Sequence, residues 1–390
     1  MQKQISPASR LQGVVRLPGD KSISHRAAML SSIAEGPSTL HNYSTGADCQ
    51  STLDCMKSLG VSIERDGTTI KVEGVGLRGL RQSSSALDVG NSGSTIRMLS
   101  GILAGQPFLS TLIGDESIAQ RPMQRVIQPL TQMGAVINAR EGKFTPIEIQ
   151  GKYPLKALDY TPPMASAQVK TCVLFAGMYA DGETIVHESI PTRDHSEMAL
   201  REFGAELESS GGVIRIQNNP RLTGRDFFVP GDLSSAAFFL VGALLVPGSN
   251  VVIENVGLNP TRTALLDYLS SIGAAIQIRK FEQISGEVVG DIEVRHTQTS
   301  AGVIKGALTA ALIDEIPVLA VLGALGGGLT VKDAAELRVK ETDRIMAVAE
   351  NFARCGISIE TTPDGFVVPG GQKVRASTFE SLGDHRIAMS

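Results

Sequence analysis

Eight short polar stretches of this chain combine cations, hydroxyls, amides and carboxylates in patterns suited to holding anions and moving protons. In LPGDKSISHR, residues 17–26, a Pro-Gly-Asp turn precedes Lys21, Ser22 and Arg26, and an apolar run follows over 27–34. Hydroxyls, two cations and the unpaired amides of a helix start make an anion seat, because the N–H groups and the helix dipole point at the ligand. A Walker loop is excluded, since Asp20 separates Gly19 from Lys21 and breaks the required order. GNSGSTIR, 90–97, sets Asn91, Gly93 and two hydroxyls ahead of Arg97. Gly93 would let a ligand approach the backbone closely, and Ser94 or Thr95 is expected to cap the helix. In GDESIAQRPM, 114–123, Pro122 biases Arg121 toward extended backbone, from which its side chain can project into a cleft.

SAQVK, 166–170, supplies a hydroxyl, an amide and a cation at another helix start, and Arg193 lies in PTRDHSEM, where Asp194 or Ser196 is expected to cap the next helix. Such groups suit a polyhydroxylated phosphate ester. DEIPVLA, 314–320, puts two carboxylates before an apolar helix, where Asp314 also fits an N-cap. In ELRVKETDR, 336–344, Lys340 and Arg344 stand at i, i+4 with Glu341 adjacent, so a helix would put both cations on one face. His385 and Arg386 follow Asp384 at the final helix start. Each stretch taken singly also fits a capped helix or a solvated face; their number carries the reading. Lys21, Arg26 and Arg121, with Lys340, Arg344 and Arg386, are expected to line a cleft for two anionic substrates. Asp314 and Glu341 are then the acid/base candidates.

The elements that must position these groups repeat. Gly60, Gly134, Gly204, Gly273 and Gly356 each end an amphipathic helical stretch and precede a short alternating strand, at intervals of roughly 70–80 residues. The polar signatures recur with the same period, marked by Asp20, Asn91, Ser166, Asp232, Asp314 and Asp384. The unit reads as helix, strand, second helix, strand. LPGDKS at 17–22 and VPGDLS at 229–234 are the closest pair, which predicts two domains of three units with a crossover near 221–230. The expected boundaries are 14–222 for the first domain and 1–13 plus 223–390 for the second, whose N-terminal strand lies before Gly13. The periodicity places the rest of a sixth unit roughly 40 residues beyond Ser390, so the second domain's third unit reads as incomplete.

Composition narrows the function class. Hydrophobic residues at 42% and charged residues at 19% fit a soluble globular protein, and no apolar run is long enough for a membrane span. A net charge of −4 with aromatics at 4% argues against a nucleic-acid partner. Cys49, Cys55, Cys172 and Cys355 lack metal-ligand spacing and are expected to be buried thiols, with no zinc site. The N-terminus carries neither a signal nor a transit pattern, and a cytoplasmic enzyme is expected.

LPGDKSISHR, GNSGSTIR, GDESIAQRPM, SAQVK, DEIP, RVKETDR and GDHR, in this order over 17–390, resemble the 5-enolpyruvylshikimate-3-phosphate synthase family. The resemblance implies an α/β (α+β) fold of two domains, each of three βαβαββ units around a pseudo-threefold, with the substrate cleft between them. It implies transfer of the carboxyvinyl group of phosphoenolpyruvate to the 5-hydroxyl of shikimate 3-phosphate through a tetrahedral intermediate, without metal or cofactor, by a monomer. Carried over, Lys21, Ser22, Arg26, Ser166, Ala167, Gln168, Arg193 and Lys340 would bind shikimate 3-phosphate. Gly93, Arg121, Gln168, Arg344 and Arg386 would serve phosphoenolpyruvate, as would Lys21, and Asn91 would be a further substrate-binding residue. Asp314 would also contact substrate and take the hydroxyl proton; Glu341 with Lys21 would protonate the methylene carbon. Ala167 departs from members with a second Ser there. The resemblance also implies a glyphosate target, with Gly93 small enough to admit the inhibitor. A related UDP-N-acetylglucosamine enolpyruvyl transferase would carry a Cys before its R-P motif, where this chain has 114–116, GDE. A non-catalytic binder of shikimate 3-phosphate is the other alternative.

Overall fold

The computed structural model describes residues 3–390. These divide into two compact units: Pro18–Pro230 with Gln283–Glu287, and the residues up to Leu17 with Gly231–Glu282 and Val288–Ser390. Each has its own apolar core.

Among the described residues, five four-stranded sheets share one design: two parallel strands followed by an antiparallel pair. In the sheet of 87–150, Leu87–Asp88 lies parallel to Leu109–Ile113, which pairs antiparallel with Phe144–Gln150, itself paired with Val136–Arg140. The repeat is therefore β-α-β-α-β-β; the reading from residues alone missed two strands of the unit, the leading parallel strand, such as Leu87–Asp88, and the second strand of the closing hairpin. The missed hairpin strands, such as Thr69–Val75, follow tight turns within the same polar stretch. Two sheets borrow their first strand from afar. Asp226–Phe228 joins Glu35–His41, with Phe227 opposite Leu40, and Gln12–Arg16 joins Asn250–Gly257, with Val14 opposite Val252. The N-terminal strand thus runs through Gly13 rather than ending before it.

The helices divide by pattern. Lys21–Ile33, Gly93–Ala104 and Ala167–Gly177 in one unit, and Leu233–Leu245 and Ile316–Leu325 in the other, are buried on most of their circumference. For Leu233–Leu245 and Ile316–Leu325 that is what an apolar helix without a polar face must do, whereas Lys21–Ile33 buries His25 and Arg26 through internal hydrogen bonds. Gly101 shows how tightly they pack, because a Cβ there would lie 2.2 Å from the carbonyl oxygen of Cys172 on the neighbouring helix. The outer helices are amphipathic, and each of the five repeat glycines takes positive φ at its helix end, from +83° at Gly356 to +102° at Gly134. All four cysteines are free and buried. No helix among the described residues is long and apolar enough to cross a membrane.

Candidate active site

In the Pro18–Pro230 unit the first turns of three buried helices are bonded to one another. Asp20 caps Lys21–Ile33 by accepting from the Ile23 amide, and Ser166 caps Ala167–Gly177 by accepting from Val169. The middle helix is capped by Ser92, which accepts from the Thr95 amide at 3.1 Å, not by Ser94 or Thr95. The helix begins at Gly93, so those two residues already lie inside it and their hydroxyls turn elsewhere. Ser94 accepts from Gln168 Nε2 at 2.9 Å, and Gln168 Oε1 accepts from Arg97 at 2.9 Å, which joins the second helix start to the third. Arg26 joins the first to the third. Its guanidinium donates to Thr171 Oγ1 at 2.9 Å, to Ser196 Oγ at 2.7 Å and to the Ser22 carbonyl at 2.7 Å.

Burial sets the electrostatics of this face. Desolvation lowers both the Arg26 and Arg97 guanidinium groups to about 10, with Arg121 and Arg125 adding repulsion at Arg97. Both stay protonated at neutral pH, and a cation held in low dielectric attracts an anion more strongly than one in water. Lys21 Nζ bonds Asp48 at 2.9 Å. Arg121 has extended backbone, and its guanidinium donates to Ser117 at 2.8 Å and to Asn91 Oδ1 at 3.3 Å, while Asn91 Nδ2 donates to Asp115 at 2.6 Å. An added Cβ at Gly93 would sit 2.7 Å from Arg97 Nη1 and 3.5 Å from Arg121 Nη1. Gly93 therefore brings backbone close to two guanidinium groups.

Lys170, the cation of the SAQVK stretch, is enclosed by two carboxylates. It is buried and paired with Glu197 at 2.7 Å and Glu188 at 3.0 Å, because its helix position faces the core. Burial raises the Glu197 carboxyl, and Lys170 opposes that rise. Arg193 lies just before helix His195–Glu202, where Asp194 holds the cap position without a side-chain cap bond and Ser196 serves Arg26 instead.

The second unit gathers three carboxylates around one cation. Arg344, 2% exposed, bonds Asp384 at 2.8 Å, Glu341 at 2.7 Å and Asp314 at 3.5 Å. Burial alone would lower this guanidinium, but the Asp384 bond and the charges of Glu341 and Asp384, with Asp314, outweigh it and hold the pKa above its ordinary value. Asp384 is fully buried and also caps the last helix through the Arg386 amide, whereas the Asp314 and Glu341 side chains are each 27% exposed. Arg386 donates to Ser234 Oγ at 2.6 Å, and Ser234 donates to Glu315. Glu315, rather than Asp314, occupies the cap position of Ile316–Leu325, and it makes no side-chain cap bond.

Lys340 and Arg344 do not share a helix face. A 3-10 turn ends at Val339, Lys340 is extended, and Asp343 starts a new helix by accepting from the Met346 amide. The break follows from Asp343, whose short carboxylate satisfies a helix start better than a helix interior. Lys340 instead bonds Glu336 at 2.7 Å. The residues that sequence reasoning left out are Asp48, Arg97, Asp384 and Ser234. Arg97 had a local signal, standing one turn after Gly93; the others become partners only through long-range folding.

A family model described as EPSP synthase (3-phosphoshikimate 1-carboxyvinyltransferase) matches residues 5–390. The 3-phosphoshikimate 1-carboxyvinyltransferase of Solibacter usitatus is 62% identical over 391 residues, covering 100% of this chain and 92% of that protein. Its namesake in Geobacillus kaustophilus is 50% identical over 385 residues, covering 98% of this chain and 90% of that protein. Among solved structures, an EPSP synthase from Acinetobacter baumannii is similar with a TM-score of 0.89 at 40% identity, covering 97% of this chain and 88% of that one.

Proposed function

Because the chain belongs to the EPSP synthase family, we infer that it transfers the carboxyvinyl group of phosphoenolpyruvate to the 5-hydroxyl of shikimate 3-phosphate and releases phosphate. The observation that carries this reading furthest is the bonded set of three helix starts with Lys21, Arg26, Arg97 and Arg121, a setting for phosphate and carboxylate groups.

The reaction adds the hydroxyl oxygen to C2 of phosphoenolpyruvate while C3 gains a proton. The tetrahedral adduct then loses a C3 proton and phosphate, which restores the double bond. One group must take the hydroxyl proton and another must deliver and recover the C3 proton. Asp314 fits the first role and Glu341 the second, with Lys21 assisting. Of the three carboxylates on Arg344 these two reach solvent, while buried Asp384 holds the guanidinium they share. Lys21, Ser22, Arg26, Ser166, Ala167, Gln168, Arg193, Asp314 and Lys340 are read as the shikimate 3-phosphate contacts. Gly93, Arg121, Arg344 and Arg386, with Lys21 and Gln168, are read as the phosphoenolpyruvate contacts, and Asn91 as a further substrate contact. We also read the protein as a cytoplasmic monomer, which sedimentation of the purified chain tests for mass.

Phosphate release measured for Asp314→Asn and Glu341→Gln tests the roles. Each is expected to lower kcat by about 100-fold or more with the phosphoenolpyruvate KM changing little, the pattern of lost proton transfer. Unchanged kcat in either variant removes that residue from the chemistry.

A further inference from the structure

Three segments that carry Lys21, Asp48 and Gly93 are joined beneath the site by a run of buried polar groups. Ser92, Thr95, Thr52, His25 and Cys49 are each 0% exposed. His25 Nδ1 lies 2.6 Å from Thr52 Oγ1, Thr52 Oγ1 lies 2.7 Å from Thr95 Oγ1, and the Thr95 hydroxyl donates to Ser92 Oγ at 2.7 Å. At the other end His25 Nε2 is 3.8 Å from Cys49 Sγ, and that thiol reaches the Lys21 carbonyl at 3.6 Å. Thr95 Oγ1 also lies 3.4 Å from the carbonyl of Asp48, whose side chain holds Lys21.

Successive links cross between different elements: helix Lys21–Ile33, helix Ala47–Ser58, then the start of helix Gly93–Ala104. Burial keeps the imidazole neutral at ordinary pH. It then has one N–H, and the donor order set by Thr95 and Ser92 assigns that hydrogen to Nδ1, leaving Nε2 as the acceptor facing the thiol. Apolar side chains would fill the same space with less desolvation cost, since each of these groups must find a partner away from water. What the polar chain adds is direction: each bond sets a distance and an angle between two segments that dispersion contacts would leave looser.

We propose that His25, Thr52 and Thr95 are positioning residues whose hydrogen-bond chain holds the Ser92–Gly93 helix start in register with the Lys21 turn, and so sets the spacing of the anion-binding groups in this unit. The link to turnover rests on the proposed function; the link to anion binding does not. Misplacing a binding group by a fraction of an ångström weakens every contact it makes, and one net hydrogen bond corresponds to about tenfold in binding.

The test compares Thr95→Val, which keeps shape and removes the hydroxyl, with Thr95→Ser, which keeps the hydroxyl. Each is assayed for phosphate release against phosphoenolpyruvate concentration, for affinity toward inorganic phosphate by calorimetry, and for melting temperature. Thr95→Val is expected to raise the phosphoenolpyruvate KM and the phosphate Kd about tenfold, with a smaller change in kcat. Thr95→Ser is expected to stay within about twofold of wild type, and His25→Asn combined with Thr95→Val to be little worse than Thr95→Val alone. Equal behaviour of Val and Ser variants, or wild-type binding by Thr95→Val, overturns the proposal. Should Thr95→Val fail to fold, Thr52→Val cuts the same chain one link away and is read identically. A wild-type protein that binds phosphate without turnover refutes the proposed function while the Kd comparison still decides this one; binding of neither overturns both.

Discussion

Replacing Gly93 by Ala perturbs the proposed anion site with a single methyl group. The added Cβ would stand 2.7 Å from Arg97 Nη1, the far end of a flexible side chain, so the fold survives and the guanidinium retreats. Ordinary contact requires a retreat of about 0.7 Å, a displacement of the size that costs up to about 100-fold in rate when a binding group is misplaced. Arg97 now donates to Gln168 Oε1 at 2.9 Å and to the Gly93 carbonyl at 3.3 Å, and the retreat strains both bonds. The same methyl lies 3.5 Å from Arg121 Nη1, so it narrows the approach to two cations at once. A longer anion than phosphoenolpyruvate loses more from that narrowing. Steady-state phosphate release, with and without glyphosate, should show the phosphoenolpyruvate KM rising about tenfold and the glyphosate inhibition constant rising at least about tenfold further. Equal shifts in the two constants, or no shift in inhibition, would refute the placement of Gly93 beside the bound anion.

Other perturbations test the buried charges. Asp384→Asn keeps the shape but strips Arg344 of its fully buried partner, and should lower unfolding free energy by roughly 3 kcal/mol in urea titrations. A loss below about 0.5 kcal/mol would mean that Glu341 and Asp314 suffice. Lys170→Met leaves Glu188 and Glu197 facing each other without their cation, and should destabilise by about 3–5 kcal/mol at pH 7 with the loss shrinking in acid as a carboxyl takes a proton; a pH-independent loss would point to packing alone. Desolvation, with Lys21 and Arg26 opposing Asp48 and Asp20, holds His25 at about 3 against an ordinary 6.5. The unfolded chain therefore binds a proton that the folded one refuses, so stability is full above pH 6.5 and falls as pH drops toward about 3, by up to about 1.4 kcal/mol per pH unit. His25→Asn should flatten that part of the pH–stability curve, and an unchanged slope would show that other groups set it.

Helix starts were legible because capping is local chemistry. Asp20, Ser166, Asp232 and Asp384 all accept from an amide two or three residues ahead, which a short motif encodes completely. The repeat was legible for the same reason, through glycines that end helices in a backbone region other residues avoid. Errors arose where two candidates competed over one turn. Ser92 rather than Ser94 caps its helix, and Asp343 starts a new helix where charge spacing alone suggests a continuous one across Lys340 and Arg344. Pairings between distant segments left no local trace. Nothing near Lys170 announces that Glu188 and Glu197 will enclose it, and nothing near Arg344 points forty residues on to Asp384. The borrowed strands Gln12–Arg16 and Asp226–Phe228 belong to the same class, since each pairs with residues more than 180 positions away.

Phosphate release from phosphoenolpyruvate, followed with and without shikimate 3-phosphate, bears most directly on the assignment. Release that requires shikimate 3-phosphate, with one carboxyvinyl ether formed per phosphate freed and a loss of about 100-fold in Asp314→Asn, is the expected result. Phosphate freed equally without shikimate 3-phosphate, or no release by a folded protein that holds both substrates, would contradict it.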